Sequence, residues 1–346
     1  MKINNTEINK NSRTYIIAEL SANHEQNYDL AVETIKAMKD SGADAVKLQT
    51  YTPDSITLDS EKPWFQTRKD SPWAGQKMYD LYKKGETPWE WHLKLQKLAN
   101  ELGMDFFSSP FDFKGVDLLK SINVPAYKIA SLEITDIPLI KKCAETNKPI
   151  IISTGAAKLE DIDLAVETCR NVGNNQIALL KCTSAYPTPY NEVNLNQIQF
   201  LKERYKTIVG LSDHTLGIEV PIAAVVLGTK IIEKHFILNR NSNSIDKEFS
   251  LEPQEFKQMV TAIRNIEQAI GNKDFEATSK INKATKFTRS LYAVSNINKG
   301  DIITKDNIRS LRPGLGLHPK YYFEILGKKA KANIEKGTPL SFDLIE

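Results

Sequence analysis

Eight short apolar, mostly β-branched runs, each followed by a stretch of helical periodicity, constrain this chain more than any other feature. The runs are Tyr15–Ala18, Ala45–Leu48, Asp105–Phe107, Ala126–Ile129, Pro149–Ile152, Ile177–Leu180, Ile208–Leu211 and Lys230–Glu233. Between them, Leu30–Asp40 stops before Gly42, Trp89–Leu102 before Gly103, and Leu159–Val172 before Gly173. A last helix is expected from Pro253, burying Phe256, Val260, Ile263 and Ile270 before Gly271. Eight strand–helix units over roughly 260 residues predict an α/β fold of the (β/α)8 TIM-barrel type. A doubly wound open sheet is the competing topology. Against it, no GxGxxG follows the first strand and no GxxxxGK[ST] occurs.

Two segments break the rhythm. Residues 51–87 insert a long aromatic stretch (Pro63, Trp64, Pro72, Trp73, Tyr79, Tyr82) after the second strand. There it would lie at the catalytic face, as a substrate lid or as a surface excursion packed on the rim. Beyond Gly271 the chain turns polar, so residues 1–272 are taken as the catalytic barrel and 273–288 as a linker. Residues 289–346 then contain a repeat: Ile297–Ile308 and Ile334–Ile345 both read I-x-K-G-x-x-[IL]-[ST]-x-D-x-I. Short strands with Lys-Gly turns predict a small, mostly-β module that needs a partner surface.

Composition excludes several classes. A formal charge of +3, with both signs interspersed, implies no nucleic acid. The apolar runs are far too short to span a membrane, and residues 1–13 lack a signal-peptide pattern. Three scattered cysteines (Cys143, Cys169, Cys182) without a CxxC pair predict reduced thiols and a cytoplasmic protein.

Barrel enzymes place chemistry at the C-terminal strand ends, and here those ends are polar. They offer Glu19; Lys47 and Gln49; Ser108 and Ser109; Lys128 and Ser131; Ser153 and Thr154; Lys181, Thr183 and Ser184; Ser212, Asp213 and His214; and Glu233 and His235. His214 and His235 close adjacent expected strands about 5 Å apart, so both imidazoles are placed to share a divalent ion such as Mn²⁺, Co²⁺ or Fe²⁺. His24 lies near the first strand, within reach of the site, whereas His92 sits in an expected helix with a structural role. Lys47 and Lys128 among serines suit a phosphorylated carboxylic acid, because a buried lysine needs an anion. A Schiff-base lysine of a class I aldolase is the rival use. Glu19 and Glu233 are acid–base candidates or orienters of a histidine.

Seven segments then resemble the sialic acid synthase family, in its order. They are Ala18-Glu-Leu-Ser-Ala-Asn-His24, Ala45-Val-Lys-Leu-Gln49, Phe106-Phe-Ser-Ser-Pro-Phe-Asp112, Tyr127-Lys-Ile-Ala-Ser131, Ser153-Thr-Gly155, Gly210-Leu-Ser-Asp-His214 and Glu233-Lys-His-Phe236. The C-terminal repeat with Arg312-Pro-Gly-Leu-Gly316 resembles that family's antifreeze-like (SAF) domain. The resemblance implies a (β/α)8 barrel that condenses phosphoenolpyruvate with an N-acetylated amino sugar, and a homodimer with a swapped C-terminal domain.

By matching positions it implies a divalent metal (Mn²⁺, with Mg²⁺ or Co²⁺ as alternatives) on His214 and His235. Lys47, Ser109, Lys128, Ser131, Ser153, Ser184 and Ser212 would hold phosphoenolpyruvate. Glu19, Gln49, Tyr186 and Asp246 would face the sugar, and Arg312 would reach its acetamido group from the partner chain. Tyr79-Asp-Leu-Tyr82, Thr87-Pro-Trp-Glu-Trp-His92, Lys181-Cys-Thr-Ser-Ala-Tyr-Pro187 and Gly316-Leu-His-Pro-Lys320 resemble the pseudaminic acid branch. That branch implies a 2,4-diacetamido-2,4,6-trideoxy-altrose acceptor; N-acetylneuraminic and legionaminic acid synthases are the alternatives. Asn239-Arg-Asn-Ser-Asn-Ser-Ile245, beside Asp246, departs from the usual family segment. A non-catalytic carbohydrate-binding protein is the reading from another class.

Overall fold

The computed structural model describes residues 1–68, 73–271 and 278–346. Pro72 of the aromatic insertion and residues 273–277 of the expected linker lie outside them.

A two-strand hairpin, β1 (Lys2–Ile3) and β2 (Thr6–Glu7), precedes the barrel. The barrel strands are β3 (Tyr15–Glu19), β4 (Ala45–Thr50), β5 (Asp105–Pro110), β6 (Tyr127–Ile129), β7 (Ile150–Ser153), β8 (Ile177–Cys182), β9 (Ile208–Asp213) and β10 (Ile231–His235). All are parallel, in sequential order, and β10 pairs with β3 to close the ring. The hairpin turn covers the N-terminal end, where the Asn4 side chain donates to Asp105 at the start of β5. This leaves the opposite end for chemistry.

Several strands run further than their apolar residues. Thr50, Ser108, Ser109, Cys182, Asp213 and His235 all remain in strand. Neighbouring strands in the ring give each of these polar ends a backbone partner on at least one side, so they stay extended without apolar side chains.

The helices follow their local signals. Tyr28–Asp40 begins at Asn27, whose side chain accepts from Asp29 and Leu30 amides, and buries Ala31, Thr34, Ile35 and Met38. Its end is sealed at Gly42 (φ +90°), where a Cβ would meet Val260 at 3.0 Å. The last barrel helix, Pro253–Ile270, has proline in its first turn, and the Glu252 amide donates to the Glu255 carboxylate. It buries Phe256, Met259, Val260 and Ile263. Ile270 is not buried, contrary to expectation: it is 50% exposed, because the final turn runs past the barrel wall. The expected helix Trp89–Leu102 divides into a 3-10 turn, Trp89–Trp91, and a helix, His92–Glu101.

Two compact units divide the chain, Met1–Gly271 and Asn272–Glu346. Within the stretch expected as a linker, Ser279–Thr285 is helical. The second unit pairs β11 (Ser290–Ala293) with β12 (Ile308–Leu311). Its two sequence repeats meet at equivalent positions. Ile297 and Ile334 exchange both backbone hydrogen bonds at 2.9 and 2.8 Å. Gly300 and Gly337 carry the same left-handed turn (φ +88° and +91°). The equivalent residues Ile308 and Ile345 are both buried, so the repeat is an approximate two-fold around one small core.

Candidate active site

The C-terminal mouth of the barrel gathers buried charged groups. In register, His235 lies opposite Glu19, and Glu19 opposite Lys47. Lys47 Nζ is 2.5 Å from Glu19 Oε2, 3.7 Å from Glu233 Oε1, and donates to Ser109 Oγ at 3.3 Å. Lys128 Nζ lies 3.4 Å from Glu233 and donates to Ser153 Oγ at 2.7 Å. The Ser212 hydroxyl donates to Glu233 at 3.0 Å. Two lysines and two glutamates thus form one buried quartet whose charges offset one another when all four are ionised, which meets part of the cost of desolvating them.

The quartet is not symmetrical in its acidities. Burial raises the Glu19 carboxyl to about 7, against the pull of Lys47. Burial also opposes ionisation of Glu233, but Lys128, Lys47 and the Ser212 hydroxyl outweigh it and leave that carboxyl below its ordinary value. Burial lowers Lys128, whereas Glu19 and Glu233 hold Lys47 charged.

Beside the quartet, Ser184 Oγ donates to Ser131 Oγ at 2.8 Å, and Ser131 accepts the Ala156 amide at 2.8 Å. Gly155 makes room for them: a Cβ there would lie 2.7 to 2.9 Å from Ser184 Oγ, Ser131 Oγ and Cys182 Sγ. Hydroxyls and a backbone amide, together with two ammonium groups at the same strand ends, are the donor set of an anion site.

His214 and His235 face each other with ring centroids 5.2 Å apart. Burial lowers His214 to about 4. It also lowers His235, where His214 and the nearby lysines act in the same sense. Both are therefore neutral imidazoles at pH 7, the form that ligates metal. His235 Nδ1 is buried without a hydrogen-bond partner, and Asp246 Oδ2 stops 3.9 Å away. These residues fit a divalent cation. Among the described residues no third His, Cys, Asp or Glu completes a cluster, so oxygen from water or substrate would fill the remaining positions. Behind the pair, Lys234 Nζ and Asp213 Oδ2 form a fully buried 2.5 Å ion pair that also takes in Thr215.

The remaining expected residues fall as follows. Asp246 is buried at the same mouth, accepting from the Ser21 hydroxyl at 2.5 Å. The Tyr186 ring lies 4.5 Å from His214, and Phe249 packs against Tyr186, His214 and His235. Gln49 shares the inward face of β4 with Lys47. Arg312 belongs to the second unit and is exposed there. His24 does not line the quartet: it is buried between Thr87, at 3.2 Å, and the Trp91 ring. His92 is also structural, bonded to Thr50 at 2.7 Å on the outer face of β4.

One carboxylate at the mouth was not among the expected site residues. Glu133, on the turn Ser131–Thr135, is raised to about 7 by burial, with Lys128 acting the other way. Its position just past the end of a barrel strand was the available signal.

The NeuB family model matches residues 34–275, and the SAF domain model residues 288–346. The chain belongs to the NeuB family. As a NeuB-family chain it is 48% identical over 332 residues to the pseudaminic acid synthase of Helicobacter pylori, covering 96% of this chain and 97% of that one. It is 40% identical to the N,N'-diacetyllegionaminic acid synthase of Campylobacter jejuni, covering 94% and 98% respectively. The crystal structure of the N-acetylneuraminic acid synthetase of Leptospira borgpetersenii superposes with a TM-score of 0.74 at 31% identity, covering 82% of this chain and 94% of that one. No helix among the described residues is long and apolar enough to cross a membrane.

Proposed function

We propose that this NeuB-family chain is a pseudaminic acid synthase, a transferase that joins phosphoenolpyruvate to 2,4-diacetamido-2,4,6-trideoxy-altrose and releases phosphate. The observation that carries the chemistry is the neutral imidazole pair beside a buried Lys47–Glu19 and Lys128–Glu233 quartet. The near full-length relatedness to the Helicobacter pylori enzyme supports the acceptor.

In this reading Lys47 and Lys128 turn from the glutamates toward the donor's carboxylate and phosphate. Ser109, Ser153, Ser131, Ser184, Ser212 and the Ala156 amide add hydrogen bonds. Tyr186, Gln49 and Asp246 hold the open-chain sugar with its aldehyde carbon against C3 of the donor. A divalent ion held by His214 and His235 would supply Lewis-acid polarisation of the aldehyde oxygen. The C3 carbon bonds to the aldehyde carbon, the C=O π pair moves onto the aldehyde oxygen, which takes up a proton from water to become a hydroxyl, and C2 is left electron-deficient. Glu19, with an acidity near neutrality, takes a proton from the water that adds at C2. Cleavage of the bond between C2 and the phosphate oxygen then releases phosphate as the new C2 hydroxyl gives up its proton to become the ketone, and Glu233, held ionised, keeps a counter-charge beside the lysines.

The chain would work in the cytoplasm, in keeping with its three buried free thiols, and as a homodimer. The small core of the second unit and its exposed Leu315 and Phe323 support a role against a second copy, with Arg312 as the group offered to the sugar.

The test is a phosphate-release screen with phosphoenolpyruvate and three acceptors: the diacetamido-altrose, N-acetylmannosamine and the diacetamido sugar of the legionaminic series. Highest kcat/KM with the first is expected. Release with none of them, or a preference for N-acetylmannosamine, overturns the reading. One observation favours a second reading: burial lowers Lys128 toward the free amine that a Schiff-base aldolase needs. Borohydride trapping of a substrate–Lys128 adduct would select it.

A further inference from the structure

The aromatic insertion takes no part in the chemistry just described, yet one of its side chains bridges two sugar-facing positions. The Trp73 ring lies 6.1 Å from Tyr186, tilted by 50°, and its Nε1 donates to the Ile245 carbonyl at 3.2 Å. Ile245 immediately precedes Asp246. Tyr186 continues the stack onto His214 and Phe249. From the other side, Tyr51 packs edge-on against Tyr82 and Phe111, at 5.9 and 5.3 Å. Gly85, at the end of the insertion's helix Met78–Gly85, keeps this cluster close to the rim. A Cβ there would lie 2.8 Å from the Tyr51 hydroxyl, 3.3 Å from Ala22 and 3.4 Å from the Ile245 side chain. The segment after β4 therefore lays an aromatic and aliphatic wall beside Tyr186 and Asp246.

We infer that Trp73 is a specificity-determining residue. With Tyr186 and Ile245 it forms an apolar face that favours acceptor sugars in which hydroxyls are replaced by methyl and acetamido groups. This deepens the proposed function and rests on it. A 2,4,6-trideoxy sugar presents a methyl at C6 and acetamido groups at C2 and C4, whose methyls bury well against ring faces. A hexose hydroxyl against the same wall gives up water and finds no partner there. Apolar pockets reject an added hydroxyl by only about 10²-fold, so this preference is graded and open to single substitutions. Asp246, Ser21 and Gln49 remain the polar side of the pocket.

The experiment compares kcat/KM for the diacetamido-trideoxy-altrose and for N-acetylmannosamine in the full-length enzyme, in Trp73→Ala and in Trp73→Phe. Trp73→Ala is expected to shrink the preference by about tenfold or more, through the acceptor KM, with the KM for phosphoenolpyruvate unchanged. Trp73→Phe, which keeps an aromatic face and loses the hydrogen bond to the Ile245 carbonyl, is expected to retain most of the preference. Equal losses on both sugars in Trp73→Ala, or a change confined to the donor KM, overturn the inference while leaving the reaction intact. A wild-type enzyme that releases phosphate with no acceptor removes the reaction and this inference together.

Discussion

Glu19 and Glu233 stand on strands paired across the closing seam of the barrel, and their carboxyls are driven in opposite directions. Two like groups separated in acidity by their surroundings is the usual arrangement of an acid–base pair. The kcat/KM profile should therefore rise with pH through about 7 as Glu19 ionises. Glu19→Gln should lose that limb and about 10²- to 10⁴-fold in rate. Glu233→Gln should lower the rate and keep the limb. A limb that survives in Glu19→Gln assigns the base elsewhere.

The same carboxyl has a thermodynamic signature. Its native acidity lies above the ordinary 4.5, so the fold binds that proton more tightly than the unfolded chain does. The stabilisation is complete below pH 4.5 and is lost as pH climbs through about 7, by up to about 3 kcal/mol. Urea unfolding at a series of pH values should show this slope in the wild type and a flatter one in Glu19→Gln. Parallel slopes would contradict it.

His214→Ala and His235→Ala should each abolish turnover that a chelator removes and added Mn²⁺ restores. Titration calorimetry should show the ion's binding weakened by two orders of magnitude or more, about 3 kcal/mol. Full turnover by either variant in chelator-treated buffer would take the imidazole pair out of the mechanism.

Gly155→Ala should act on the donor alone. The added methyl intrudes on Ser131, Ser184 and Cys182, so the KM for phosphoenolpyruvate should rise about tenfold or more while the acceptor KM holds. A variant with both constants unchanged would place the phosphate away from those serines.

Removing one member of the Asp213–Lys234 pair strands a charge that is fully shut from water. Asp213→Ala or Lys234→Ala should cost about 3–5 kcal/mol in denaturant unfolding, and Asp213→Leu with Lys234→Met should recover most of it. Equal losses in the single and double variants would argue that this pair's contribution is not electrostatic.

The barrel was legible because each strand carries its own short apolar run, mostly β-branched, and the helices carry Asn, Pro or Gly at their boundaries. The polar strand ends also announced where Lys47, Lys128, Glu19 and Glu233 would gather. What periodicity does not carry is who pairs with whom. That Lys47 meets Glu19, and Lys128 meets Glu233, depends on register across β3, β4, β6 and β10, which is set by ring closure. The Asp213–Lys234 pair was hidden for the same reason: alternate residues of a buried strand point outward as well, where helices cover them. His24 looked like a site residue from its nearness to Glu19, but the turn Ser21–Gln26 swings it outward onto Trp91. Ile270 kept the helical spacing of a buried residue after the helix had outrun its neighbour.

Ring closure also sets a timetable for the nascent chain. β3 emerges early but lacks its second neighbour until β10 has been made, about two hundred residues later. Until then Glu19 and Lys47 have neither His235 nor Glu233 beside them, and both edges of the sheet, at β3 and at β9, stand open. A ribosome stalled before Ile231 would therefore carry a sticky, inactive arc, and chaperone demand should peak in that window.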